Sequence, residues 1–471
     1  MAAARVSAAR RATFGGRVVI LGFGSVGHGL LPLLAPVLGV QPSNITIVSP
    51  DAQESGAAAE FGARVIAQAI FPGNLGSVLG PLLGPGDFLL NVSVHVSSID
   101  LIRLCRSRGA FYLDTCTEPW LHHYDNLQLT ISERSNYAMR ENALAWGREN
   151  RGGPTAILTQ GANPGLVSQF VKQALAQMAR ETGVPATREW GQLARRLGVK
   201  VIHIAERDTQ TSPQRKRVGE FVNSWSVEAF VDEGLQPAEL GWGTHERQLP
   251  HDGARHTFGC DAAIYLKRAG LATRVRSWTP LNGPYHGFLV THAESISVAD
   301  HLTVREGDAV AYRPTVHYAY HPCDDAVLSV NELAGANWKL QKKHRILRDE
   351  IASGVDELGV LLMGNPRGVY WYGSRLSIQE AREIAPYNSA TTMQVVAGIL
   401  GGMYWTMQHP DAGLVEPDDI DHEMVLDIAR PFLGEVTGVW GSWTPLGDRS
   451  GLYDEDRDPA DPWQFVNFRV G

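Results

Sequence analysis

The stretch RVVILGFGSVGHGLL, residues 17–31, limits more than any other feature what this chain can fold into. An apolar run leads into Gly22, Gly24 and Gly27 at the G-x-G-x-x-G positions, and a helical pattern follows. The first glycine permits a tight turn, the second lets the backbone approach a pyrophosphate, and the third lets helix and strand pack closely. The stretch predicts a βα unit that binds a dinucleotide, with a tight turn that holds no ligand as the alternative.

The residues around the glycines complete a predicted cofactor site. Ser25 and Val26 begin the helix, whose free N–H groups and partial positive charge favour phosphate. Asp51 follows the second strand, NITIVSP, about 24 residues after the last glycine, near the spacing of an acid that binds the adenosine ribose. No basic residue directly follows that strand, and this favours NAD over NADP.

Two more strand-like runs, DFLLNVSVHV and AFYLDTCTEPW, end in polar residues. Ligands of open α/β sheets bind beyond the carboxyl ends of the strands. This topology places five side chains towards the cofactor: Ser93, His95, Asp114, Thr115 and Glu118.

A third run, AILTQGANPGLVSQF, repeats the design with a strand, a Gly/Asn/Pro loop and a helix. Asn163 in that loop can orient a carboxamide or a substrate amine, because its side chain both donates and accepts hydrogen bonds. We therefore predict that Asn163 contacts both cofactor and substrate.

The order of the elements predicts an α/β protein with two domains. A Rossmann-type parallel sheet forms the dinucleotide domain, and a second α+β domain with a mixed sheet holds the substrate. We place a mobile tail at residues 1–15, the NAD-binding domain at 16–162, the second domain at 163–385, and C-terminal helices that return to the Rossmann domain at 386–471. Among the latter, APYNSATTMQVVAGILGGMYW predicts a small-residue helix that packs closely on the nucleotide fold.

Composition excludes several classes of protein. The chain has 471 residues and a net charge of −8 without a long basic stripe, so nucleic acid is not an expected partner. No apolar run is long enough to span a bilayer. The four cysteines are scattered, with no C-x-x-C pair and no disulfide framework, which favours a reducing cytoplasm. The histidines and cysteines lack metal-ligand spacing, so no metal site is predicted.

A tryptophan lies among acids in EFVNSWSVEAFVDEG, residues 220–234, which contains no lysine or arginine. Ser226 is the predicted N-cap of a helix, with Trp225 before it, Glu233 in its last turn and Gly234 just after it. Since an indole face and carboxylates both attract positive charge, Trp225 belongs either to a site for a cation or to the core side of an ordinary helix. Two further acids of this helix are expected to face solvent: Glu228 and Asp232.

Two other segments of the second domain also carry acids. VKVIHIAERDTQ predicts a strand that ends in Glu206. GFLVTHAESISVADHL predicts another strand, on which His292 and Glu294 share a face because they are two residues apart.

Eight motifs together resemble bacterial homospermidine synthases: LGFGSVG, LDTCTEPW, GANPGLVSQFVKQAL, VIHIAERDTQ, FVNSWSVEAF, PAELGWGTHE, ELGVLLMG and YWYGSRLS. The resemblance spans nearly the whole chain, from about residue 16 to the C-terminus. The wider fold relatives are the saccharopine dehydrogenase-like reductases.

The resemblance implies transfer of an aminobutyl group, with NAD as a recycled prosthetic group. Two putrescine molecules give homospermidine and ammonia, or spermidine replaces one putrescine as donor and releases 1,3-diaminopropane. NAD takes hydride from an amine carbon, a second amine attacks the resulting imine, and the new Schiff base is reduced. The second domain is also expected to join two copies into a homodimer.

The resemblance further implies roles for individual residues. Trp225 is expected to hold cations against its ring. The polyamine site is expected to contain Glu118, Glu206, Glu233, Glu294, His292 and Asn163, with Asp356 of VDELGVLL as a further acid. His95 stands where an acid is expected, which puts the affinity for one amine end in question. Because the reacting amine has to be neutral, the site needs a proton acceptor, and Glu206, Glu233 and His292 are the candidates.

Two other functions are compatible with the same sequence. A saccharopine dehydrogenase-like reductase would condense an amino acid with a carbonyl compound, and it would need an arginine clamp for carboxylates. Arg207, Arg313 and Arg375 cannot be placed from the sequence. The other alternative is a non-catalytic NAD-binding regulator whose second domain serves only for association.

Overall fold

The computed structural model describes residues 13–50, 55–447, 449 and 455–470. Most of the predicted tail at residues 1–15 therefore lies outside the described residues. Its described end is packed, because Phe14 is buried and its ring meets that of Phe88 edge-on at 6.1 Å. The predicted tail is too long at its carboxyl end.

The strands number 21 in the described part of the chain, from β1 to β21. In chain order they are Val18–Leu21, Ile45–Ser49, Arg64–Ala67, Phe88–Asn91, Phe111–Asp114, Ala156–Ile157, Val201–Asp208, Glu220–Asn223, Pro237–Gly241, Gly253–Arg255, Ala263–Ala269, Arg274–Thr279, Gly283–Phe288, Val304–Glu306, Ala309–Tyr312, Thr315–His321, Lys343–Ile346, Val355–Met363, Val369–Ser377, Leu414–Val415 and Glu435–Gly441.

The helices of the same part run from α1 to α14. They are Ser25–Leu38, Ser55–Glu60, Leu75–Leu79, Ser98–Arg108, Asn136–Glu149, Leu166–Thr182, Trp190–Arg196, Val227–Leu235, Ala293–His301, Asp324–Gly335, Ile378–Ile384, Ala390–Gln408, His422–Ala429 and Phe465–Phe468. Short 3₁₀ turns lie at Pro42–Asn44, Gly80–Leu82, Gly270–Ala272 and Arg430–Phe432. Among the described helices, none combines the length and apolar character needed to cross a membrane.

The first sheet is parallel and has the strand order β20-β6-β5-β4-β1-β2-β3. Alternate residues of β1 belong to two different cores: Val18 and Ile20 pack with α1 and α12, whereas Val19 and Leu21 pack with α4. A run of apolar residues such as VVIL is typical of a parallel strand covered on both faces. The predicted Rossmann-type sheet is confirmed.

The second sheet is mixed and is built around β7. Its main path is β10-β11-β9-β16-β7-β18-β19-β21, and β12 and β13 form a hairpin beside β16. β7 pairs in parallel with β16, where Tyr320 lies opposite Glu206, and antiparallel with β18, where Asp356 lies opposite Asp208. The predicted mixed sheet is confirmed, and β7 and β18 bring several acids together on one face.

Helix α12 joins the two domains through small residues. It packs along α1 and reaches the loop after β6, where the backbone of Gly398 lies against the carbonyl of Gly161. A Cβ atom on Gly398 would lie 1.9 Å from that carbonyl oxygen, closer than any real contact. The predicted close packing of this helix on the nucleotide domain is thus observed.

The C-terminal part of the chain divides between the two sheets. β20 pairs with β6 in the first sheet, whereas β21 pairs with β19 in the second and α14 packs on β12. The prediction that residues 386–471 return as a whole to the Rossmann domain is therefore wrong for β21 and α14.

We expect Gly398→Ala to destabilise the protein although alanine is the better helix former. The added methyl group overlaps the carbonyl of Gly161, and overpacking costs about 1–3 kcal/mol, more than the gain of about 1 kcal/mol in helix propensity. Calorimetry should show a midpoint of thermal unfolding lower by about 1–2 °C, because the unfolding entropy of a chain of 471 residues is about 1 kcal/mol per degree. The control is Gly335→Ala at the end of α10, where a Cβ would meet nothing within 4 Å. Equal midpoints for both variants would contradict the expected overlap.

Candidate active site

The glycine turn between β1 and α1 faces the carboxyl ends of the parallel strands. Gly22 has a φ of +89°, and a Cβ there would lie 2.7 Å from the carbonyl oxygen of Val92 at the end of β4. A Cβ on Gly24 would meet nothing within 4 Å, so the backbone is open on that side. A Cβ on Gly27 would lie 3.0 Å from the ring of Phe23. The turn is therefore packed on the protein side and open where a ligand approaches.

The start of α1 fits a phosphate group. Its N-cap is Gly24, so no side chain caps the first turn. The hydroxyl oxygen of Ser25 is buried and has no hydrogen-bond partner within the described structure. Unpaired N–H groups and an unpaired hydroxyl at a helix N-terminus are what a pyrophosphate requires. Asp51, the predicted ribose ligand, lies outside the described residues.

The polar residues after β4 and β5 differ in burial and in how many hydrogen bonds they already form within the protein. Ser93 is half-buried, and its hydroxyl donates to Asn91 at 2.7 Å. Thr115 is half-buried beside Gly161. Asp114 is fully buried, and its carboxylate accepts bonds from three groups of its own domain: Ser98 Oγ, Tyr112 Oη and Thr159 N. Asp114 thus stabilises the strand ends within its own domain, and its contact with the cofactor stays a prediction.

Glu206 is buried on β7 and is held from two sides. Asn163 Nδ2 donates to Glu206 Oε2 at 2.7 Å, and the Tyr318 hydroxyl donates to the same oxygen. No hydrogen bond within the described structure engages the other oxygen, Oε1. Burial raises the pKa of Glu206 to about 7, although both donors oppose that rise. A carboxylate with one free oxygen and a pKa near neutrality is suited to accept a proton.

Two further acids lie beside Glu206 on the same face of the sheet. Asp208 accepts from Gln210 N and Ser224 Oγ at 2.7 Å each, so it is satisfied within the domain. Asp356 accepts from the Thr391 hydroxyl, and its Oδ1 is buried without a partner in the described structure. Burial and the neighbouring carboxylates raise the pKa of Asp356 well above its usual range.

His292 lies between two carboxylates. Its Nε2 is 3.2 Å from Glu233 Oε2, and its Nδ1 is 3.2 Å from Glu294 Oε1. Burial lowers the pKa of His292, but the two acids outweigh burial and raise the pKa to about 10. His292 is therefore an imidazolium at neutral pH. It cannot accept a proton there, which removes one of the three candidate bases.

The local structure at His292 differs from the prediction. A strand was expected, but β13 ends at Phe288 and His292 is the N-cap of α9. Glu294 lies in the first turn of that helix, where the N-terminal dipole favours a carboxylate. His292 and Glu294 are therefore brought into contact by the start of a helix, and not by lying on one face of a strand.

The loop after β5 adds an acid and a thiol to the same cluster. Glu118 is buried and accepts from the backbone N–H of His95 at 3.0 Å. Burial raises the pKa of Glu118 to about 8. Cys116 Sγ lies 3.6 Å from Glu233 Oε1. The contact between Cys116 and Glu233 connects the first domain to α8 of the second domain.

His95 pairs with Asp232, an acid that was expected to face solvent. His95 Nε2 lies 2.8 Å from Asp232 Oδ2, and the two side chains are 29% and 38% exposed. The hydrogen bond to Asp232 raises the pKa of His95 above its usual value. Glu228 also has a partner, since its carboxylate is 2.6 Å from His344 Nδ1. The prediction that these acids face solvent is confirmed for Glu228, which is exposed, whereas Asp232 is half-buried against His95.

Trp225 is half-buried immediately before the N-cap of α8. Ser226 caps the helix as predicted, because its Oγ accepts from Ala229 N. The helix continues through Gly234 to Leu235, so Gly234 does not follow its end as predicted. Trp225 Nε1 donates to Tyr320 Oη at 2.9 Å, and the ring of Phe230 meets the indole edge-on at 5.5 Å.

The three arginines that the sequence left unplaced have other hydrogen-bond partners. Arg207 bonds to Asp324, Arg313 to the backbone carbonyl of Asp261, and Arg375 to Glu357 and Glu435. No lysine or arginine forms an ion pair with Glu118, Glu206, Glu233, Glu294 or Asp356 among the described residues. The site therefore attracts cations and lacks the clamp that a substrate carboxylate requires.

Two tyrosines of the site were not identified from the sequence. Tyr318 and Tyr320 are buried on β16, and their rings stack at 5.1 Å with an interplanar angle of 12°. The alternation in TVHYAYH could have placed both on one face of a strand. Their approach to Glu206 and Trp225 depends on the β7–β16 pairing, which the sequence does not specify.

Two family models match the chain in succession. The model of the saccharopine dehydrogenase NADP binding domain matches residues 18–157, and that of the saccharopine dehydrogenase C-terminal domain matches residues 161–442. Together, the fold and the site define a two-domain, dinucleotide-dependent enzyme of the saccharopine dehydrogenase-like class.

Individual relatives narrow this class. Homospermidine synthase from Blastochloris viridis is 52% identical over 466 residues, which is 97% of both chains. That from Mesorhizobium japonicum is 48% identical over 467 residues, covering 97% of this chain and 96% of the other. The crystal structure of homospermidine synthase from Legionella pneumophila in complex with NAD is 49% identical, has a TM-score of 0.92 and covers 98% of this chain and 99% of that one. The chain belongs to the homospermidine synthase family, and the resemblance found in the sequence is confirmed.

We expect His292 to remain protonated throughout the neutral range in the free protein. The carboxylates of Glu233 and Glu294 hold its pKa near 10, so its NMR signal in histidine-labelled protein should not titrate between about pH 6 and 8. Glu294→Gln removes one of these charges and should lower the pKa of His292 by at least about one unit.

The signal of His292 is assigned among the 16 histidines by its loss in His292→Gln. Glu228→Gln is the matched control, because Glu228 contacts His344 on the outer side of the same cluster. A midpoint for His292 below pH 7 in the unaltered protein would contradict the ion-pair geometry.

Proposed function

We propose that this chain transfers an aminobutyl group between polyamines with NAD as cofactor. Two putrescine molecules give homospermidine and ammonia, and spermidine with putrescine gives homospermidine and 1,3-diaminopropane. The observation that carries this proposal is a buried group of carboxylates without a lysine or arginine partner among the described residues, next to a half-buried indole.

The first domain supports binding of NAD. Gly22, Gly24 and Gly27 with the unpaired Ser25 hydroxyl fit a pyrophosphate, as does Val26 through its position in the first turn of α1. When bound, NAD takes up a hydride from the amine carbon and later returns it. The Legionella family member binds NAD, and no basic residue directly follows β2 to pair with a 2′-phosphate.

The reacting amine must lose its proton before the adjacent carbon can release a hydride. An ammonium would oppose the positive charge that develops on that carbon. Glu206 is the proposed base, because its Oε1 is free and its pKa lies near 7. Asn163 holds the carboxylate through the opposite oxygen and thereby directs Oε1 towards the substrate.

The other amine is held as an ammonium by the remaining acids. Glu233 and Glu294 share the charge of His292, and Glu118 carries a full charge once a cation lowers its raised pKa. Each charge-assisted hydrogen bond contributes roughly 1.5–3 kcal/mol. Asp356 lies deeper beside Asp208 and can favour a cation with its unpaired oxygen. We therefore assign these acids to substrate binding and chain-length selection.

Trp225 is assigned to the cationic imine. A desolvated cation on an indole face gains about 2 kcal/mol. The neutral amine gains little from the same face, so the benefit arises as positive charge develops and lowers the barrier. The second amine then adds to the imine carbon. The first amino group takes up a proton and leaves as ammonia, which gives a new Schiff base. Reduction of this Schiff base gives the product.

The alternative reductase, which joins an amino acid to a carbonyl compound, receives no support from the site. Its substrate carboxylate requires an arginine clamp, but Arg207, Arg313 and Arg375 are engaged elsewhere. Association into a homodimer and a cytoplasmic location stay predictions; the four free cysteines are compatible with the latter.

The proposed function predicts a product from putrescine alone. Purified protein with NAD and putrescine should release homospermidine and ammonia in equal amounts, without net formation of NADH. Mass spectrometry of the amines and a coupled ammonia assay measure both. Addition of spermidine should yield 1,3-diaminopropane as a second product. Formation of NADH or of an amino-acid conjugate in place of homospermidine would reject the assignment.

The role of the indole predicts that Trp225→Ala lowers turnover by at least about 30-fold, the equivalent of about 2 kcal/mol, while NAD binding is retained. Nucleotide affinity is unaffected because Trp225 lies on the second domain, and calorimetric titration with NAD measures it. Trp440→Ala is the control: its indole is also half-buried, but it lies on β21 and donates to Glu181. Near-normal turnover in Trp225→Ala would remove the indole from the mechanism.

A further inference from the structure

Two adjacent tyrosines connect the proposed base to the proposed cation-binding ring. Tyr318 and Tyr320 are two residues apart on β16, so both side chains lie on the same face of the strand. Both are buried, and both touch a residue of the site through their hydroxyl groups. They are held by the parallel pairing of β16 with β7.

Tyr318 determines which oxygen of Glu206 is free. Its hydroxyl donates to Oε2, the oxygen that Asn163 also contacts at 2.7 Å. The ring of Tyr318 also lies 4.5 Å from that of His292, centroid to centroid. Two donors on one oxygen fix the plane of the carboxylate and stabilise its ionised form.

Tyr320 holds the indole at its only polar atom. The Tyr320 oxygen accepts from Trp225 Nε1 at 2.9 Å, and Phe230 packs edge-on against both rings. A hydrogen bond at one end and an aromatic contact on the side prevent rotation of the indole. Withdrawal of the N–H proton towards an oxygen also makes the ring more electron-rich, which strengthens its attraction for a cation.

The rings of the two tyrosines stack against each other. The centroids are 5.1 Å apart, and the planes differ by 12°. Tyr320 also lies opposite Glu206 in the β16–β7 register. A shift of either tyrosine would therefore change the separation between the base and the indole.

We propose that Tyr318 and Tyr320 are positioning residues of the aminobutyl transfer, Tyr318 for the carboxylate of Glu206 and Tyr320 for the indole of Trp225. This inference rests on the proposed function. Product formation by the unaltered protein tests that function separately, so the variants below report only on the tyrosines.

Tyr318→Phe should move the pH dependence of the reaction. Loss of one donor makes the Glu206 carboxylate less stable, so its pKa rises above about 7 and the acid limb of kcat/KM moves up by about one pH unit. The acid limb can only move to higher pH, because the reaction needs the ionised form of Glu206. Activity should therefore fall about tenfold on the acid side and recover at high pH. A uniform loss without a shifted limb, or no loss at all, would overturn the role of Tyr318.

Tyr320→Phe should lower kcat about tenfold and change KM for putrescine less than about threefold. If Tyr320 acts through the indole N–H, its hydroxyl has no effect once that N–H is absent. In the Trp225→Phe background, Tyr320→Phe should therefore change kcat by less than about twofold. Multiplied losses in the double variant, or an unchanged kcat in the single variant, would overturn the role of Tyr320.

NMR spectroscopy monitors the hydrogen bond between the Trp225 indole and Tyr320 without substrate turnover. In ¹⁵N-tryptophan-labelled protein with 12 tryptophans, Trp225→Phe identifies the indole N–H signal of Trp225 by its loss. Tyr320→Phe should move that signal upfield, and an unchanged signal would contradict the hydrogen bond. Tyr370→Phe is the control, because this buried tyrosine donates to Gln177 far along the sheet, and it should leave the signal, kcat and the acid limb as in the unaltered protein.

Discussion

Buried carboxylates without an arginine or lysine beside them are the constraint on which the rest of this structure depends. Removal of an ion from water costs several kcal/mol even after the protein relaxes, and the usual compensation is an arginine or lysine. Here the compensation is partial, since Glu118 and Glu206 have pKa values raised to about 8 and 7. Glu233 and Glu294 together share one imidazolium, that of His292. The deficit that remains is what the proposed diammonium substrate would offset.

This arrangement exists only when the two domains are packed together. Asn163 comes from the loop after β6 and donates to Glu206 on β7, while the loop after β4 contributes His95, which meets Asp232 on α8. The close contact of α12 with the nucleotide domain fixes the distance between these elements. The residues proposed for the site come from both domains, so neither domain alone contains all of them.

The sequence predicts the elements that are determined locally and misses those determined by tertiary contact. The glycine turn and the N-cap at Ser226 depend on a few consecutive residues, and both are found where expected. Gly234 failed as a helix end because it is needed inside α8, where a Cβ would lie 2.4 Å from Leu271. The sequence predicts a strand at His292 because His292 and Glu294 are two residues apart, as on one face of a strand. The same spacing also fits an N-cap and the first turn of a helix, which the structure contains. The partner of Asp232 lies 137 positions away along the chain, and no local pattern indicates it.

An aromatic ring and a carboxylate stabilise a cation in different ways, and the difference explains why this site contains both. At an effective dielectric constant near 20, two opposite charges 4 Å apart attract by about 4 kcal/mol, roughly twice the contribution of an indole face. A carboxylate directly at the reacting carbon would hold the cationic imine too firmly for the second amine to consume it, and it would favour the ammonium form of the amine. The indole favours positive charge without accepting a proton. The proposed roles follow from this difference: Glu206 is the proposed proton acceptor, and Trp225, hydrogen-bonded to Tyr320, is the proposed stabiliser of the positive charge.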